Sequence, residues 1–153
     1  GVKRMGLEGL TMESNPILRI ATKIMTPYIL MFALYVQFHG DYGPGGGFQA
    51  GVIFAAAFVL YALIYGIGTA RLVLPMGVAA LCGALGVLIY AGVGIATMFL
   101  GGGFLEYGFL DSHDAEHGQH LGILLVELGV LTTVFGVMVV IFYSFAGRGR
   151  VEE

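Results

Sequence analysis

Charge is scarce in this chain. Asp, Glu, Lys and Arg make up only 11% of its 153 residues, while 58% are hydrophobic. Ordinary soluble domains carry about 25% charged residues. With a mean hydropathy of +0.89 and no charge-rich half, a sizeable soluble domain is excluded and an integral membrane protein is implied. Cysteine is nearly absent. Cys82 is the only one, so an internal disulfide is excluded, and its place in an apolar run marks it as packing. The first apolar run has no small-residue cleavage site and is long enough to span, so it is expected to stay as a helix rather than be removed as a signal peptide. No cofactor, no bound metal and no nucleic-acid partner are expected.

Four apolar runs are present, at about 17–38, 48–67, 74–100 and 121–146. Each supplies the ~20 residues that cross a ~30 Å hydrocarbon core as a helix. Within lipid these runs must be helical, because open strands leave backbone groups unpaired. The expected fold is therefore an all-α integral membrane protein of four transmembrane helices. Asn15-Pro16 marks the first helix start and Pro75 the third, while Pro27 removes a backbone bond inside the first. The domain reading is a tail or interfacial segment over 1–16, containing Met5, Leu7, Leu10 and Met12, then a transmembrane domain over 17–146 and a tail over 147–153.

The seven basic residues are Lys3, Arg4, Arg19, Lys23, Arg71, Arg148 and Arg150, and all fall on one side of a four-span topology. The loops 39–47 and 101–120 contain no Lys or Arg and carry Asp41, Glu106, Asp111, Asp114 and Glu116. The positive-inside rule then predicts both termini in the cytoplasm and both of these loops outside. The expected localisation is a bacterial or archaeal cytoplasmic membrane.

What the chain has in excess is glycine, 26 residues of it with no collagen-like period. Gly122, Gly129 and Gly136 recur by sevens, close to two helical turns, and so form one stripe on the fourth span. Such stripes let helix backbones approach, and a packing seam is expected there. Four spans offer little mutual burial for so many small-residue faces, so partner subunits are expected.

Glu127 is the only acidic residue well inside a span. A carboxylate there is costly unless paired, hydrated or protonated, and such residues mark ion or proton paths. It lies about 140–180° round the helix from the glycine stripe. His120 precedes it by seven residues on nearly the same face and titrates near neutral pH. A structural Glu bonded to one neighbour and an interfacial His that ends the span are the alternatives. His113 and His117 are spaced i, i+4, but the stretch is not HExxH and Gly118 weakens the helix that metal binding would need. A hydrated acidic and imidazole cluster or an ordinary polar loop fits better.

The stretch from His39 to Gly51 is the densest in glycine. It is no phosphate loop, because no Lys-Ser/Thr follows. Its glycines permit positive φ and Pro44 stiffens it, while His39, Asp41 and Gln49 bring polar atoms to the same ends of spans one and two. Pro44-Gly45-Gly46-Gly47-Phe48, followed by Ala50-Gly51, resembles the signature of the MnhB/MrpB family, small membrane components of Mrp-type multisubunit sodium/proton antiporters. The family often shows Gly-His-Asn before the proline, where this chain has His39-Gly40-Asp41-Tyr42-Gly43. Gly122-Ile123 and Glu127-Leu128-Gly129-Val130 also resemble the family, which tends to carry an acidic residue at the Glu127 position. The resemblance covers about residues 17–146 and implies a small four-helix subunit of a secondary cation/proton antiporter. Its implied partners are the large and small subunits of that complex, with sodium ions, protons and membrane lipid. A subunit of a related hydrogenase-type membrane arm, a structural scaffold and a membrane metalloenzyme are the other readings. On the leading reading Glu127, His120, Asp41, His39 and Gln49 contribute to an ion path. Pro44, Gly45, Gly46, Gly47, Phe48 and Gly51 shape the loop, and Gly122, Gly129 and Gly136 pack helices.

Overall fold

The computed structural model describes residues 15–40, 42–111 and 114–148. The expected interfacial segment before Asn15, Asp41, His113 and most of the C-terminal tail lie outside the described residues. The regular elements among the described residues are all helices: α1 (Pro16–His39), α2 (Gly47–Tyr65), α3 (Ile67–Val73), α4 (Met76–Phe99), a short 3-10 helix (Tyr107–Leu110) and α5 (Ala115–Ala146). Helices α1, α2, α4 and α5 are each long and apolar enough to cross a membrane.

Local chemistry accounts for most boundaries. The Asn15 side chain accepts from the Ile17 amide, with Pro16 in the first turn of α1. Helix α2 stops at Gly66, whose φ of 85° L side chains rarely adopt, and the short α3 follows at once. The second apolar run is therefore divided at Gly66 rather than continuous to 67. Asp114 caps α5 by accepting from the amides of Glu116 and His117. That cap starts α5 at residue 115, six residues before the apolar run begins. Glu127 thus stands about 18 Å from the start of α5.

The helices pack in the spatial order α1, α2, α5, α4, with α5 between two neighbours. On the α4 side, a Cβ at Gly129 would lie 2.9 Å from the Gly86 carbonyl oxygen, and one at Gly136 2.6 Å from the Gly83 nitrogen. On the α2 side, a Cβ at Gly51 would lie 2.8 Å from the Leu131 carbonyl oxygen. Backbones thus meet backbones on both faces of α5. Gly122, the third member of the sevenfold series, receives the Tyr107 ring instead of α4. At the end remote from the glycine loop, Arg71 stacks over the Tyr143 ring at 5.5 Å and donates to the Tyr143 carbonyl at 3.1 Å.

Gly129→Leu is expected to force α4 from α5 and to lower the melting temperature in detergent clearly, since overpacking a filled contact costs roughly 1–3 kcal/mol or more. Gly92→Leu, at a position open to its surroundings, is the control and should leave folding of the chain intact. Thermal unfolding followed by size-exclusion chromatography distinguishes the two.

Candidate functional site

The glycine loop turns the chain from α1 into α2 by folding back on the end of α1. His39 O accepts from the amides of Tyr42 and Gly43, and Val36 O accepts from the amide of Gly46 at 3.1 Å. Gly46 occupies the cap position of α2 with φ 116°, and its carbonyl accepts from Ala50. A Cβ at Gly45 would lie 2.6 Å from the Val36 carbonyl oxygen, and one at Gly40 2.9 Å from the Gly46 Cα. The loop is therefore a compact corner of stacked backbone.

Glu127 closes this corner. A Cβ at Gly40 would lie 2.8 and 3.0 Å from its two carboxylate oxygens, and one at Gly46 3.0 Å from Oε1. Gly47 abuts the Glu127 backbone so tightly that a Cβ there has no room. The half-buried carboxylate thus sits in a notch whose walls are glycine, at the start of α2. That end of a helix carries unsatisfied N–H groups and the positive pole of its dipole, which favour a carboxylate. The sequence places the loop between the first two spans and Glu127 in the fourth, and the fold brings them together.

The other candidates distribute around it. Gln49 is exposed, with Oε1 3.7 Å from a Cβ position at Gly46, close to Glu127. His39 is half-buried, stacks on Tyr35 at 5.3 Å between centroids, and turns Nε2 toward Gly43. His120 is exposed and, with Phe38, Tyr42, His117, Leu121 and Leu124, lines a groove of about 400 Å³. Leu124 precedes Glu127 by three residues, so the groove reaches to within one turn of the carboxylate. Pro44 and Phe48 are exposed, Phe48 by 62%, whereas Gly46, Gly47 and Gly51 are buried.

The acidic loop is held by bonds of its own. His117 Nδ1 lies 2.9 Å from Asp111 Oδ2, Asp114 caps α5, and Glu106 Oε2 accepts from the Gly103 amide at 2.6 Å. The Thr97 hydroxyl bonds the Gly94 and Gly103 carbonyls and accepts from the Leu105 amide. Among the described residues no three His, Cys, Asp or Glu side chains converge as metal ligands would. Sequence reasoning passed over Gln37, which is buried to 1% exposure in α1. A carboxamide inside an apolar run was the available signal.

This fold defines a multi-pass helical membrane protein. Residues 17–140 match the family described as a domain related to the MnhB subunit of Na+/H+ antiporter, and the chain belongs to that family. It is 37% identical over 137 residues, covering 88% of this chain and 96% of the relative, to a Staphylococcus haemolyticus protein assigned as antiporter subunit mnhB2. It is 36% identical, with the same coverage, to the Staphylococcus aureus (strain Newman) protein of that name. The protein is thus an antiporter-subunit homologue, a component of a transporter rather than an enzyme.

Burial, with Tyr90 beside it, pushes the Tyr107 phenol above the usual tyrosine range. A raised folded value means that this contribution to stability is complete below the unfolded pKa of about 10 and is lost as pH rises through the folded value. Tyr107→Phe is therefore expected to flatten the alkaline loss of thermal stability, measured from about pH 9 to 12. An unchanged profile would show that the phenol does not contribute.

Proposed function

We propose that this chain is a small membrane subunit of a secondary monovalent cation/proton antiporter and that Glu127 lies on its ion path. The termini are then cytoplasmic, the glycine loop and acidic loop face outside, and the protein resides in a bacterial or archaeal cytoplasmic membrane with the other subunits of its complex. The observation that carries this reading is the seat of Glu127. A carboxylate stands where the ends of α1 and α2 meet α5, one helical turn below an open groove lined by His117 and His120. A protonatable oxygen at the foot of an open groove can exchange a proton for a cation. His120 lines that groove, while His39 and Gln49 bring polar atoms to the adjoining ends of α1 and α2. Sodium is the cation expected from the family.

Glu127→Gln keeps the size of the side chain and removes its charge. In inverted membrane vesicles it is expected to lower sodium/proton exchange roughly tenfold or more, with the complex intact on native gels. Exchange at the wild-type rate would sink the path role.

The same contact favours one second reading, a scaffold, because a carboxylate beside the start of α2 also suits the positive end of that helix and so ties α5 to it. On that reading Glu127→Gln is silent in exchange, while Gly46→Leu, which fills the notch, disperses the complex.

A further inference from the structure

Thr22, Gln37 and Thr97 are buried polar side chains among the described residues, and the Tyr143 phenol, at the basic end of the bundle, is buried with its hydroxyl lacking a hydrogen-bond partner among them. The Thr97 hydroxyl is satisfied three times over. Gln37 differs: neither its Nε2 nor its Oε1 meets a hydrogen-bond partner among the described residues. A buried carboxamide without protein partners is unfavourable, and in native folds such a group marks a bound water or ion.

Its position points to an ion. Gln37 precedes Gly40 by three residues, so both lie on one face of α1, together with the buried Ala33 and Val36. Gly40 is where the Glu127 carboxylate meets α1, and Gly46, which touches the same carboxylate, donates to the carbonyl of Val36 beside Gln37. On α1, Gln37 and the point where the carboxylate arrives are thus about one helical turn apart, which defines a layer about 5 Å deep along that helix. Helix polarity orders that layer. The start of α2 is the positive end of its dipole and suits the carboxylate, whereas the end of α1 is negative and suits a cation. Membrane transporters hold ions between paired helix ends in this way. Oxygen atoms replacing a hydration shell are what a desolvated alkali cation requires, and a single carboxylate balances a single positive charge.

We propose that Gln37 and Glu127 form a binding site for one partly dehydrated monovalent cation, with Gln37 Oε1 and a Glu127 carboxylate oxygen as ligands. The proposal rests on Glu127 lying on the ion path. Gln37 sets cation affinity, and the cation competes with a proton for the carboxylate.

Dicyclohexylcarbodiimide modifies protonated carboxyl groups in apolar surroundings, so it reports occupancy of Glu127. The assembled complex in native membranes is treated with it in NaCl, KCl or LiCl, with choline chloride as control, and the Glu127 adduct is quantified by mass spectrometry. At least one alkali cation is expected to protect Glu127 saturably. Gln37→Met, unbranched but without the amide, should need about tenfold more cation for half-protection. The same variant should raise the half-saturating cation concentration for exchange by a similar factor, with a smaller change in maximal rate. No protection by any of the three salts, or no adduct in choline, overturns the site. An unchanged half-protection in Gln37→Met overturns it too. If Glu127→Gln abolishes exchange while Gln37→Met behaves as wild type, this site falls and the path reading stands. A silent Glu127→Gln removes both. Should Gln37→Met fail to assemble, Gln37→Asn, which withdraws the carboxamide by one methylene, is read by the same criteria.

Discussion

The closeness of α5 to both of its neighbours is the constraint on which the rest of this structure depends. Lipid tails are as apolar as the helices they surround, so association within the membrane relies on packing rather than on exclusion of water. Gly129 and Gly136 bring α5 onto the backbone of α4, and Gly47 and Gly51 bring α2 onto the backbone of α5. A helix held on two sides has little freedom to slide or turn. The depth and direction of every other α5 side chain follow, including those of Glu127.

The glycine loop has two roles that share one geometry. It reverses the chain within a few residues, which requires the positive φ of Gly46 and the amide of that residue turned back to Val36. The same compactness leaves a notch with no side chain of its own, and the notch is filled by the carboxylate of a distant helix. Any Cβ at Gly40 or Gly46 would compete with Glu127 for that space. The motif that joins two spans is therefore also the wall of the site, and the family signature has a physical meaning beyond a turn.

The two ends of the bundle are built differently. At the basic end, Arg19 and Arg71 lie over the rings of Tyr65 and Tyr143, and Tyr65 donates to the Arg19 carbonyl. Charges there are carried on apolar stems and aromatic faces, as suits a membrane boundary. At the other end, rings are set against glycines: Phe104 on Gly94, Phe109 on Gly102 and Tyr107 on Gly122. With the Thr97 hydroxyl tying the chain at Gly103 and Leu105, the acidic segment is a fitted cover and not a loose connection.

Much of the fold was legible in the residues themselves. Hydropathy alone reveals four helices, because lipid leaves an apolar run of ~20 residues no other way to satisfy its backbone. Asn15-Pro16 announces the first helix, and glycines spaced by sevens announce a close-packed face, since both signals lie within one helix and follow its period. The start of α5 was less visible, because residues 115–120 are polar and their helix begins on the cap formed by Asp114 rather than on hydropathy. The break at Gly66 was hidden for the opposite reason, a continuous apolar run masking one residue of unusual φ. The contact between the glycine loop and Glu127 was beyond reach of pattern alone. Periodicity relates residues within a helix, whereas which glycine faces which carboxylate depends on the order α1, α2, α5, α4 and on how closely those backbones meet. The sequence by itself determined a membrane protein of four spans with one internal carboxylate; the tertiary structure alone decided that the carboxylate and the loop meet, and that Gln37 is buried about one turn of α1 away from that contact.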